Sequence, residues 1–456
     1  MTRREFLAAT AAAPLAAAPP PPPNILVILC DDLGYGDTGP YGSKIRTPNL
    51  DRMAAAGVRF TNFCSADPVC SPSRAALLTG RYPTRVGVPR VLFPQDQGGL
   101  DRGETTLANM LKARGYKTMC IGKWHLGRPE PYLPTSRGFD EYFGIPYSND
   151  MTPRVLMHNT EVIEQTATLE TLTGRYTDQA KKFIEASKGG PFFLYMPHTF
   201  PHIPLGVSDR FRGKSGLGIY GDVVEEVDWS VGEVLGALKQ NRLDRETLVL
   251  FTSDNGPWYL GSPGKLRGRK ATTYEGGVRE PFLAQWTGRI PAGRTCDGLA
   301  SMMDLFPTVM KLCGGAAPAK PLDGIDIWPM LIGARREIER DPLLYFDGWD
   351  LQCARWMNWK LHLARHNTSA YSPAPAVGRH SYILPKPELY NLAEDPDESY
   401  DVAPENAAVV ERMRGKIAEM LKGFPDEVQK AWAEAQARPV DPATPTAAYP
   451  RPGRGQ

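Results

Sequence analysis

Four short, largely apolar runs punctuate the chain: Ile25 to Cys30, Thr118 to Ile121, Phe192 to Met196 and Leu248 to Phe251. Each is set off by turn or polar residues, such as Gly115-Tyr116 before the second and a Gly-Gly-Pro turn before the third. Runs of this length without polar alternation fit parallel strands buried on both faces, although length alone also leaves a buried helix open. Helical spacing lies between them. Thr105 to Arg114 places Leu107, Met110 and Leu111 on one face, and Val223 to Leu238 repeats Val224, Val227, Val231, Val234, Leu235 and Leu238. Such apolar stripes seek a sheet to cover. Strand and helix in alternation predict a doubly wound α/β sheet.

The texture changes after about residue 335. Leu343 to Phe346, Trp356 to Leu363 and Glu388 to Leu392 resemble short strands, and Asn406 to Leu421 carries an amphipathic helical pattern through Val409, Val410, Met413, Ile417, Met420 and Leu421. The expected layout is an α/β domain over residues 24–335 and a small α+β subdomain with an antiparallel sheet over 336–437. No internal repeat interrupts it.

The two ends do not belong to this fold. Arg3-Arg4 precedes Phe6 to Ala18, an apolar stretch of 13 residues closing on Ala16-Ala17-Ala18. It is shorter than the roughly 20 residues a membrane span needs and resembles a twin-arginine export signal over residues 1–18. Pro19 to Pro23 would form a stiff linker. Residues 438–456, with five prolines and little apolar content, read as a disordered tail. The expected destination is the bacterial periplasm or the extracellular space, without stable membrane insertion.

Composition narrows the function. The formal charge is +2 over 456 residues, which argues against a nucleic-acid partner or a polybasic membrane binder. The 44 Gly and 43 Pro indicate a loop-rich enzyme. Seven cysteines rule out a disulfide scaffold. Export of this type moves folded chains, so Cys30, Cys64, Cys120, Cys296, Cys313 and Cys353 are expected to be reduced, buried thiols.

Polar residues follow each apolar run: Asp31-Asp32, then Lys123 and His125, then His198 and His202, then Asp254-Asn255-Gly256. In open α/β sheets ligands bind beyond the carboxyl ends of the strands. Asp31-Asp32 alone is an ordinary turn or helix cap, and so is Asp254-Asn255-Gly256. Together, each after a buried strand, they offer oxygen donors suited to Ca2+ or Mg2+. Cys70-Ser71-Pro72-Ser73-Arg74 reads as a helix start with Cys70 or Ser71 as cap, ending at Gly80. A cysteine there is either structural or a low-pKa nucleophile. The run Lys265-Leu266-Arg267-Gly268-Arg269-Lys270 is either a solvated loop or an anion site, and spacing does not decide.

These residues together resemble the type I sulfatases, in particular the arylsulfatase A and N-acetylgalactosamine-6-sulfatase group. The resemblance rests on Cys70-Ser71-Pro72-Ser73-Arg74 with Leu77-Leu78-Thr79-Gly80-Arg81, and on Gly115-Tyr116-Lys117-Thr118 through Gly122-Lys123-Trp124-His125. Asp31-Asp32-Leu33-Gly34-Tyr35-Gly36-Asp37, Ser253-Asp254-Asn255-Gly256, Thr273 to Pro281 and Leu389-Tyr390-Asn391-Leu392 extend it over about residues 24 to 422.

The resemblance implies an alkaline-phosphatase-like fold, a large mixed and mostly parallel sheet sandwiched by helices. It implies a sulfatase acting on a sulfated carbohydrate or aryl sulfate. Cys70 would be converted to formylglycine by a formylglycine-generating enzyme, and one hydroxyl of its hydrate would attack sulfur. His125 would deprotonate the other hydroxyl to expel sulfate. Asp31, Asp32, Asp254 and Asn255 would hold Ca2+, or Mg2+, together with modified Cys70. Arg74 would orient the hydrate, Lys123 and Lys270 would bind sulfate oxygens, and His202 would protonate the leaving oxygen. His198 is the weaker histidine, a supporting partner. Two rivals stand beside this reading: a phosphoesterase or phosphonate hydrolase of the same superfamily, and a non-catalytic sulfated-glycan binder.

Overall fold

Ile25, Val27 and Ile28 are β-branched residues with no polar neighbour between Ile25 and Cys30, so the segment is stable only where both faces are covered. The computed structural model, which describes residues 22–366, 381–437 and 449–450, places it at the centre of the molecule. The expected export signal, most of the proline linker, and the tail apart from 449–450 lie outside the described residues. The α/β part comprises β1 (Asn24–Cys30), α1 (Pro48–Ala56), β2 (Val58–Cys64), α2 (Cys70–Thr79), α3 (Leu107–Lys112), β3 (Lys117–Ile121), β4 (Glu141–Gly144), β5 (Leu156–His158) and β6 (Glu161–Glu164). It continues with α4 (Leu169–Ala186), β7 (Phe192–Pro197), α5 (Gly218–Gln240), β8 (Thr247–Ser253), α6 (Glu275–Val278), β9 (Arg279–Gln285), β10 (Arg294–Cys296), β11 (Ala300–Ser301), α7 (Leu305–Leu312) and α8 (Trp328–Leu331).

These strands form one 11-stranded sheet in the order β10-β2-β9-β8-β1-β7-β3-β4-β5-β6, with β11 beside β2. The four apolar runs of the sequence are the four adjacent strands β8, β1, β7 and β3, all parallel. Antiparallel pairing at β9 and at β4 through β6 makes the sheet mixed. Successive residues of β1 enter opposite cores: Ile25, Val27 and Leu29 on one face, Leu26, Ile28 and Cys30 on the other. Burying each of these larger side chains contributes about 1.5–3 kcal/mol.

The C-terminal part adds β12 (Leu343–Asp347), β13 (Asp350–Trp356), β14 (Trp359–His366), β15 (Ser381–Asn391), α9 (Ala407–Leu421) and α10 (Asp426–Ala437). Its four strands form an antiparallel sheet in chain order. The sequence had suggested one strand over Trp356 to Leu363. The structure splits it, because Met357 adopts a left-handed conformation (φ 54°) and turns the chain into a hairpin.

The register of the central strands delivers the polar residues to one place. Leu29 pairs with Pro197, and Cys30 pairs with Ser253. Backbone bonds continue the ladder past the strand ends: His198 N–H donates to Leu29 O (2.7 Å), Asp254 N–H to Cys30 O (3.1 Å) and Lys123 N–H to Pro197 O (2.8 Å). Helix α2 lies against these ends with all ten residues buried. Its N-cap is Val69, not Cys70 or Ser71, and no side chain caps it. Ser71 is diverted, its hydroxyl accepting from Leu92 N–H at 3.1 Å. At the other end Gly80 takes the left-handed conformation (φ 68°) that stops the helix.

Gly122 joins β3 to Lys123 at φ 129°, and a Cβ there would lie 1.8 Å from Pro197 O. Gly122→Ala should therefore destabilise the fold by on the order of 3 kcal/mol. A melting temperature unchanged from the unaltered protein would contradict this strand-end packing.

Candidate active site

The first turn of α2 carries Cys70 toward the ends of β1 and β8. Its Sγ lies 3.5 Å from Asp31 Oδ1, 4.0 Å from Asp32 Oδ1 and 3.3 Å from Lys270 Nζ. Arg74, one turn further on, reaches Asp254 Oδ2 through Nε at 2.9 Å and a terminal nitrogen at 2.7 Å, and donates to Lys123 O at 2.7 Å. Lys123 Nζ contacts Asp31 Oδ2 at 2.5 Å, and Lys270 Nζ contacts Asp32 at 2.7 Å. Asn255 Nδ2 donates to Asp32 Oδ1 at 2.8 Å. All of these side chains are buried. Three carboxylates and three cations thus share one dry pocket, where each pair is far stronger than at a surface.

Two of these positions hold strained backbone. Asp32 and His125 both have φ 62°, uncommon outside glycine. The strain bends the chain at the strand ends so that the side chains turn inward.

The sites titrate abnormally for physical reasons. Burial opposes ionisation of Asp31, but Lys123, His202 and Arg74 outweigh it and hold the carboxyl well below its usual range. Burial pushes Asp254 up to about 6 against the pull of Arg74, and the Asp31 charge adds to the rise. The Cys70 thiol is pushed up to about 12 by burial, which Lys123 and Lys270 only partly offset. Of the two readings open for a cysteine at this helix start, the low-pKa thiolate fails: desolvation exceeds the benefit of the helix end, so a bare thiol here stays protonated at neutral pH.

His125 is held neutral by burial and by the charges of Lys123 and Arg74. Its Nε2 lies 2.9 Å from Leu92 O, which can only accept. The ring proton therefore sits on Nε2, and the buried Nδ1, which has no partner, carries the free lone pair. His202 shows the opposite tautomer: Nδ1 faces Ile203 O at 2.5 Å, and Nε2 faces Asp32 Oδ2 at 3.7 Å. Burial, then Lys270, lowers its pKa.

The structure brings Asp31, Asp32, Cys70, Arg74, Lys123, His202, Asp254, Asn255 and Lys270 together, and Lys123 and Arg74 act electrostatically on His125. It separates His198, whose ring nitrogens make no hydrogen bond and whose nearest ring neighbour is Tyr176. In the cationic loop only Lys270 turns into the pocket. Arg267 and Arg269 donate to the backbone carbonyls of Glu398 and Trp258. The sequence reading missed Ser148, whose Oγ accepts from Lys123 Nζ at 3.1 Å, and Asn149, whose Nδ2 holds His202 O and Pro204 O. Both follow β4, a strand too short to stand out as an apolar run.

The pocket suits a hard divalent cation. Ligand atoms of Asp31, Asp32, Cys70 and His202 lie within 4.8 Å of one another. Asn255 Oδ1 is buried without a hydrogen-bond partner, an acceptor left unused amid three carboxylates.

Comparisons with known proteins fit this geometry. The family model described as Sulfatase matches residues 23–316, and one described as the C-terminal region of aryl-sulfatase matches residues 338–448. The chain is 39% identical over 468 residues to arylsulfatase A of Bos taurus, covering 92% of this chain and 91% of that protein. It is 42% identical over 372 residues to N-acetylgalactosamine-6-sulfatase of Canis lupus familiaris, covering 74% and 71%. Among solved structures, Ps i-CgsB in complex with k-i-k-neocarrahexaose superposes with a TM-score of 0.77 at 30% identity, covering 90% of this chain and 94% of that one.

Burial moves the His198 pKa from 6.5 to about 4. A folded pKa below the unfolded one means that the neutral ring contributes stability above about pH 6.5. That contribution, about 3 kcal/mol, is lost as pH falls through about 4. In urea titrations, His198→Leu should lose about 3 kcal/mol less than the unaltered protein between these two pH values. An equal loss in both would refute a neutral buried imidazole.

Proposed function

The chain belongs to the sulfatase family and is a sulfuric ester hydrolase, and we propose that it works through formylglycine made from Cys70 and a divalent cation beside it. The observation that carries this reading is the placement of Cys70 Sγ within 4.0 Å of Asp31, Asp32 and Lys270, among buried side chains. Asp31, Asp32, Asp254 and Asn255, with the modified Cys70, would hold Ca2+ or Mg2+. Bound there, the cation would polarise a sulfate oxygen and acidify the nucleophilic hydroxyl. The formylglycine hydrate would supply that hydroxyl in place of an inert thiol.

The remaining chemistry falls to side chains of this chain. Lys123 and Lys270, which neutralise Asp31 and Asp32 in the structure, would bind sulfate oxygens, and their fixed positions favour charge developing on the ester. Arg74, gripped by Asp254 and the Lys123 carbonyl, would orient the hydrate. His125 Nδ1 holds an unshared lone pair and would accept its proton. His202 Nε2 would deliver a proton to the leaving oxygen, its ring fixed by Ile203 O and its backbone by Asn149. His202 must therefore gain a proton on that nitrogen as substrate charge enters the pocket.

The relatives named arylsulfatase A and N-acetylgalactosamine-6-sulfatase, together with the neighbour in complex with k-i-k-neocarrahexaose, support a sulfated carbohydrate or aryl ester as substrate. A formylglycine-generating enzyme is the maturation partner this reading requires. The paired arginines and the short apolar stretch after them support export; among the described residues no helix is long and apolar enough to cross a membrane.

Cys70→Ala should lower turnover of nitrophenyl sulfate by about 10,000-fold or more while leaving the fold intact. Retained turnover would exclude the proposed nucleophile. Asp254→Ala should weaken Ca2+ binding by at least about tenfold and lower activity in parallel. Unchanged affinity by calorimetry would remove Asp254 from the cation site. Nitrophenyl phosphate, assayed alongside, should be the poorer substrate; a large preference for it would favour the phosphoesterase reading instead.

A further inference from the structure

A second buried charge cluster lies at the seam between the catalytic sheet and the C-terminal sheet, and the chemistry above does not use it. Glu275 is its centre. Its Oε2 meets Arg355 at 2.7 Å and Arg279 at 2.5 Å, and its Oε1 meets Lys360 at 3.0 Å. Glu398 meets Lys360 at 3.4 Å and His362 at 2.8 Å, and its Oε2 accepts from Glu275 N–H at 2.6 Å. Glu275, Arg355, Lys360 and Glu398 are each fully buried.

Ion pairs this dry return little net stability, because desolvating each partner cancels most of the attraction. Their geometric demand is high, however, since each charge left unpaired in the seam would be costly. What they fix is a loop. Lys270 stands five residues before Glu275 in the chain. Between them, Ala271 takes φ 63° and donates its N–H to Pro68 O at 2.8 Å, and Thr273 O accepts from Cys353 Sγ at 3.6 Å. Tyr274 lies against His362 with ring centroids 4.9 Å apart. Arg267, on the other side of Lys270, donates to Glu398 O at 2.8 Å. The loop is thus clamped on both flanks by C-terminal residues, and at Ala271 it touches the segment that leads into Cys70.

We propose that the Glu275–Arg355–Lys360–Glu398 cluster is the positioning device for Lys270. It sets the 3.3 Å approach of the Lys270 ammonium to Cys70 and makes the C-terminal sheet part of the catalytic machinery. This rests on the reading that Lys270 binds the sulfate group. Glu398 bonds Lys360, His362, Arg267 and the backbone of Glu275, so its influence runs through the loop.

A double-mutant cycle on matured full-length protein tests it, using nitrophenyl sulfate and the variants Glu398→Gln, Lys270→Ala and their combination. Glu398→Gln should lower kcat/KM roughly tenfold. The combined variant should be no worse than Lys270→Ala, because the positioning residue has nothing left to position. In Glu398→Gln alone, Ca2+ affinity should stay within about twofold, since Glu398 bonds none of the residues assigned to the cation. Lys360→Met is run through the same cycle, so that failure of one variant to fold does not silence the test. Additive losses, or no loss from either seam variant, would overturn the positioning role. Full activity of Lys270→Ala would instead overturn the sulfate-binding reading and the proposal with it, so the two failures are distinguishable.

Discussion

Crowding of anionic side chains at the carboxyl ends of two neighbouring parallel strands is the constraint on which this molecule is built. Asp31 and Asp32 follow β1, Asp254 follows β8, and the pairing of Cys30 with Ser253 leaves no freedom to hold them apart. Their mutual repulsion in a dry interior would unfold the strand ends unless positive charge were supplied. The chain supplies it from three directions: Arg74 from α2, Lys123 from the end of β3, and Lys270 from the loop before α6. Each of these elements is therefore held in place partly by the charge it neutralises.

Much of the fold was legible because the central strands are apolar on both faces. Runs such as Ile25 to Cys30 cannot be mistaken for half-exposed strands, and the four of them proved to be adjacent and parallel. Strands with mixed faces were not legible. β2, with Arg59, Thr61 and Asn62 among its apolar residues, and β5 and β6, of three and four residues, carry too weak a pattern. The hairpin at Met357 was missed for a related reason: a left-handed turn at a methionine, without glycine or asparagine at that position, leaves no sequence mark.

The pocket was legible where its residues sit next to strand ends or in dense motifs. It was not legible where a residue serves through shape. Ser148 and Asn149 look like ordinary loop residues, yet one contacts Lys123 and the other fixes the backbone at His202. The state of Cys70 could not be read from helix position either. A helix terminus argues for a thiolate, and only the depth of burial reverses the sign. Glu398, more than a hundred residues from the loop it holds, is visible only once the chain is folded.

Helix α2 has no solvent face, since every one of its ten side chains is packed inside the protein. An ordinary surface helix can drift on its outer side while conserving its inner one; this helix has no outer side on which to drift. A substitution anywhere along it disturbs packing or buried charge, whereas exposed positions close by in the chain can change without doing so. Phe93, next to the residue that binds His125, and Tyr259, four residues beyond Asn255, are 48% and 67% exposed. Substitution at such exposed positions can alter the surface of the protein while leaving its packed interior as it is.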